Sequence, residues 1–63
     1  MKSYAEQHDE KLKVAKAMRI YGGSFVQALS ECIIRADQHN FQKIKNTWPE
    51  IWEQYLEISE ATQ

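Results

Sequence analysis

One cysteine, one proline and two glycines are all that this chain of 63 residues holds of the residue types that most constrain a backbone. The lone thiol, Cys32, excludes a disulfide within the chain and fits a reducing compartment. No apolar run approaches the ~18 residues of a membrane span, and the polar opening Met1-Lys2-Ser3-Tyr4-Ala5-Glu6 has no signal-peptide core. The expectation is a cytoplasmic protein with no membrane partner. Charge of one sign is also lacking. Eight Lys and Arg stand against nine Asp and Glu, a net charge of −1, which offers no overall attraction to nucleic acid.

What charge there is lies unevenly. Residues 1–23 carry five basic and three acidic groups, residues 24–47 three and two, and residues 48–63 none and four, so the sequence runs from basic to acidic. With 43% hydrophobic and 27% charged residues the composition is that of a folded globular chain. A domain of this length buries only roughly 60% of its unfolded surface and is marginal alone, which favours self-association.

The scarce punctuation divides the chain into helices within a single domain over residues 1–63. Val14, Ala17, Met18 and Tyr21 recur at i, i+3, i+4 and i+7 and predict a helix over about residues 5–21 with these side chains inward. Gly22-Gly23 then supplies a left-handed stop, and Ser24 a side-chain oxygen to cap the next helix, over about residues 25–36. Phe25, Val26, Ala28, Leu29, Cys32, Ile33 and Ala36 cover an arc of roughly 160° on its wheel, which marks it as the central, most buried helix. Asp37 caps a short helix over about 38–47, with Phe41, Ile44 and Trp48 in line. Thr47 and Glu50 have capping-box spacing around Pro49, and a last helix follows over about 48–60. Its Ile51, Tyr55 and Ile58 face inward, flanked by Trp52 and Leu56, while Glu50, Glu53, Glu57 and Glu60 share the outer side. No strand-like alternation or internal repeat is present, so the predicted fold is all-α: a small helical bundle of three main helices and one short one.

Few residues carry chemistry. His8 and His39 have no Cys or His at ligand spacing, so no metal and no cofactor are expected. Cys32 falls on the predicted buried arc without a general base, and Glu53 and Glu57 lie on a polar face that leaves both ionised and inert. No catalytic residue is expected, and a hydrolase ranks last. Gly22-Gly23-Ser24-Phe25 has open backbone N–H groups suited to an anion, but a glycine stop with a serine cap accounts for the same residues. A phosphate loop would be longer and carry a lysine. Arg19, Gly23, Ser24 and Arg35 are the candidate contacts to a small anionic ligand, because a guanidinium grips phosphate in a fork. Arg35 serves equally as an ion-pair or carbonyl partner at a helix end.

The first helix has a second apolar stripe. Leu12 and Ile20 lie among Lys11, Lys13, Lys16 and Arg19 on the side opposite Val14, Ala17 and Tyr21, where one chain offers them no partner. Leu12, Lys16 and Ile20, with Trp48 from the aromatic stretch Trp48, Trp52 and Tyr55, are the candidate interface residues. The acidic face of the last helix complements this basic side in a neighbouring copy. Glutamates rather than lysines stand between the aromatics, so nucleic-acid binding is disfavoured.

Gly22-Gly23-Ser24-Phe25, Arg35-Ala36-Asp37, Asn40, Lys43-Ile44, Pro49, Trp52 and Tyr55 together resemble a group of very short phage and prophage helical proteins of mostly unassigned function. The resemblance spans about residues 17–55 and rests on turn, cap and core positions; Ile51 stands where similar sequences often have an aromatic. It implies a protein of the host cytoplasm that binds stoichiometrically rather than turning over. The expected function is a non-enzymatic homo-oligomer acting on a host factor, such as a host-defence inhibitor that encloses a nucleotide-like anion. The alternative is a module that docks on a host protein through an apolar helix face.

Overall fold

The computed structural model describes residues 3–61, which are all-helical apart from short connections and contain no strand. Ser3 accepts a hydrogen bond from the Glu6 N–H at 3.2 Å and opens α1 over Tyr4–Tyr21. The other helices are α2 over Ser24–Arg35, α3 over Gln38–Thr47 and α4 over Pro49–Ala61. The expected contrast between three main helices and a short one is slight, since α2 has 12 residues, α3 has 10 and α4 has 13.

The central helix is α1, not α2. It packs against both α2 and α4, and α3 packs on α4. Val14, Ala15, Ala17 and Met18 are buried along it, whereas α2 buries Leu29, Ser30 and Ile33. The predicted inward arc of α2 is displaced around the helix: Phe25 is 56% exposed, and Ala28 and Cys32 are also exposed. Ser30 is buried beside Leu29 and Ile33 instead: its hydroxyl donates to the Gln27 carbonyl at 2.6 Å, so a polar residue lies in the core with its hydrogen bond made. Ser59 does the same in α4, donating to Leu56 O at 2.7 Å while buried beside Trp52 and Tyr55. Tyr21, also expected inward, is exposed.

The α1–α2 turn is made without a left-handed residue. Gly22 has φ −86° and ψ 159°, Gly23 φ −77° and ψ −172°. Gly22 is required for a different reason, close approach. A Cβ there would lie 2.5 Å from the Met18 carbonyl oxygen and 2.7 Å from Val26 Cβ. Gly23, rather than Ser24, occupies the N-cap of α2, and Ser24 is the first helical residue. The carbonyls at the end of α1 find their partner across the turn: Gln27 Nε2 donates to Arg19 O and to Gly22 O, each at 3.2 Å.

Asp37 caps α3 as expected, accepting from the Asn40 N–H at 2.8 Å. Phe41 then wedges α3 into the core. It is 3% exposed, meets the Trp52 ring edge-on at 5.2 Å, and lies under two ammonium groups, Lys11 Nζ at 5.2 Å and Lys45 Nζ at 5.5 Å. Lys11 also donates to Ala36 O at 3.0 Å, tying α1 to the α2–α3 connection. The capping box expected of Thr47 and Glu50 does not form. Thr47 ends α3 and returns its hydroxyl to Lys43 O at 2.7 Å, while Pro49 begins α4, a position where its missing N–H leaves nothing unpaired.

Candidate functional site

The space inside the core, walled by Met18, Leu29, Ile33, Ile44, Lys45, Trp48, Ile51 and Trp52, amounts to about 10 Å³, at most one water. The larger clefts are open and polar. One of about 290 Å³ lies beside Phe41 between Gln7, Glu10, Gln42 and Lys45, and one of about 240 Å³ joins Asp9, Lys13, Leu56 and Glu60. Among the described residues no group of His, Cys, Asp and Glu is arranged to hold a metal ion.

Surface is therefore where the unusual chemistry lies. Leu12 is 44% exposed and Ile20 57%, and with the exposed Lys16 between them they form one ridge at i, i+4 and i+8. This ridge points away from Val14 and Met18. The antiparallel register of α2 on α1 is fixed at two levels, by Lys11 reaching Ala36 O and by Gln27 reaching Arg19 O. That register sets Leu12 level with Ile34, itself 41% exposed. Ile34 was not singled out from sequence, because its partner in exposure is on another helix.

Beside this ridge Glu31 of α2 is gripped from two sides. Arg19 Nη2 of α1 lies 3.1 Å from Oε1, and Arg35 Nε, one turn on along α2, 3.2 Å from Oε2. The hydrogen bond and then the charge of Arg35 hold the Glu31 carboxyl below the usual glutamate range; desolvation opposes them, and the hydrogen bond and charge of Arg19 add smaller lowering effects. All three side chains remain solvated, so the cluster orients α2 on α1 more than it stabilises it.

Of the four candidate anion contacts, Arg19 and Arg35 meet at Glu31, while Gly23 and Ser24 stand at the opposite end of α2 from Arg35, about 16 Å away at 1.5 Å per residue. They do not converge. Trp48 is likewise apart from Leu12, Lys16 and Ile20. It is half-buried at the α3–α4 connection, its ring 5.8 Å from that of the exposed Phe25 at an interplanar angle of 72°. Cys32, expected in the core, is exposed. Glu50, Glu53, Glu57 and Glu60 are exposed along α4, which carries no basic residue.

No helix among the described residues is long and apolar enough to cross a membrane. Compared with known proteins, the chain matches no family model, no curated protein and no solved structure.

Proposed function

We propose that this chain is a non-enzymatic binding protein that works as an assembly of copies and acts stoichiometrically on a partner, in the manner of the small phage proteins its sequence resembles. The observation that carries this reading is the Leu12–Lys16–Ile20 ridge with Ile34 beside it, three exposed aliphatic side chains on the side of α1 and α2 away from the core. A chain this small gains stability by covering such a surface. Sedimentation over a wide range of chain concentration is the test. The expected result is a defined multiple of the chain mass that Leu12→Ser with Ile20→Ser converts to single chains; a monomer throughout would refute the reading. A nucleotide-like anion is the small-ligand branch, with Arg19 and Arg35 released from Glu31 to hold it. Thermal-shift measurements against cyclic and linear nucleotides decide that branch, and no shift from any of them eliminates it.

The exposed Phe25 ring against Trp48 favours a second reading, an aromatic docking point for a host protein. In that case a monomer co-purifies with one host protein, and Phe25→Ser abolishes the capture while leaving the fold intact.

A further inference from the structure

We infer that the occupant of the Leu12–Lys16–Ile20 ridge is the acidic outer face of α4 from a second copy, so that copies join head to tail; this rests on the reading of the chain as an assembly. The α1–α2 side presents Lys16, Arg19 and Arg35 around the apolar Leu12, Ile20 and Ile34, against two carboxylates, Asp9 and Glu31. The α4 helix presents Glu50, Glu53, Glu57 and Glu60 and carries no cation of its own, with Lys13 of α1 bordering Glu60 at one end. Neither ion pair described on the surface involves any of these four glutamates. Half-buried Leu56 lines a cleft with Glu60 at the border of the glutamate face and supplies an apolar edge to cover.

The competing arrangement, ridge on ridge about a twofold axis, matches Leu12 to Ile20 of the other copy but sets Lys16 against Lys16 and one net-positive face against another. Like charges in register select against it. Joining α1–α2 to α4 uses two different surfaces of each copy, which is a heterologous contact, closing into a ring or running on as a filament.

Charge exchange on the full-length chain separates these arrangements. One variant carries Lys16→Glu and Ile20→Glu, the other Glu53→Lys and Glu57→Lys; all four positions are exposed, and circular dichroism checks that each variant keeps its helices. Light scattering at matched chain concentration reads the mass. The expected result is that each variant alone is monomeric and that their equimolar mixture associates, with the wild-type assembly losing mass as salt shortens the Debye length to about 3 Å near 1 M. If the α4 variant alone keeps the wild-type mass, the α4 face is not the occupant and the inference fails while the assembly reading stands. A wild-type chain that is monomeric removes both.

Discussion

Replacing the two adjacent glycines one at a time separates a glycine needed for space from one that is not. At Gly22 an added methyl would sit 2.5 Å from Met18 O, a backbone atom within α1, and 2.7 Å from Val26 Cβ, so neither neighbour yields without moving a helix. Overpacking of this kind costs about 1–3 kcal/mol. The smaller freedom of the unfolded chain returns about 0.4–1 kcal/mol. Gly22→Ala is therefore expected to destabilise by about 1–2 kcal/mol, a fall in Tm of roughly 5–15 °C for a domain of this size. At Gly23 nothing lies within 4 Å of an added Cβ, the backbone is extended, and the N-cap of α2 lacks a side-chain acceptor. Gly23→Asp supplies one, next to the positive end of the α2 dipole, and is expected to raise stability by about 0.5–1.5 kcal/mol. Thermal unfolding followed by far-UV circular dichroism, at one chain concentration because association shifts Tm, measures both. Val26→Ala added to Gly22→Ala removes the contact with Val26 Cγ1 but leaves those with the Cβ at position 26 and the Met18 carbonyl, so the double variant should lose somewhat less than the sum of the two singles. Equal shifts at the two glycines, in either direction, would refute the close-packing account of this turn.

Other expectations follow from individual contacts. Glu31 is expected to titrate below the ordinary glutamate value by NMR, with Arg35→Gln returning it upward more than Arg19→Gln does, because Arg35 is the larger cause. Since its folded pKa is depressed, the contribution of this cluster is present above the ordinary glutamate value and is lost as pH falls through the lowered one; an unchanged Glu31 titration in Arg35→Gln would dispose of the assignment. Phe41→Ala, which empties the wedge between Lys11, Lys45 and Trp52, should cost about 3–5 kcal/mol in urea unfolding, and a cost below about 1 kcal/mol would show that α3 is not held by this ring. Cys32 should react with a thiol reagent in the native chain at close to the rate of the denatured one, and strong protection would contradict its exposure.

Local signals were legible where one residue makes its own case. Asp37 with a donor at Asn40 and Pro49 at the head of α4 need no tertiary information, and both occupy their expected places. The width of an apolar arc is also readable, but its centre is not. Counting Phe25, Ala28 and Cys32 as core follows from hydrophobicity, which has no term for a serine that satisfies its hydroxyl within its own helix; Ser30 does this and is buried while those three are exposed. The central role of α1 was hidden similarly, since Ala15 adds little to an apolar pattern yet is wholly buried. On the surface, Leu12 and Ile20 were readable because they interrupt a basic face. Ile34 and the Arg19–Glu31–Arg35 cluster required the register of α1 on α2, which is set by Lys11 and Gln27 reaching backbone carbonyls far along the chain.

The position of α1 also fixes an order of events during synthesis. The helix that both α2 and α4 cover, α1, is made before either of them, and α4, made after α2 and α3, supplies Trp52 and Tyr55 to the shared core. A nascent chain that has emerged only as far as α3 can close α2 on α1 through a short connection, yet must hold part of the apolar face of α1 open to solvent. Completion of the core waits for α4 to leave the ribosome, and any product ending before it would present that open face to chaperones and proteases.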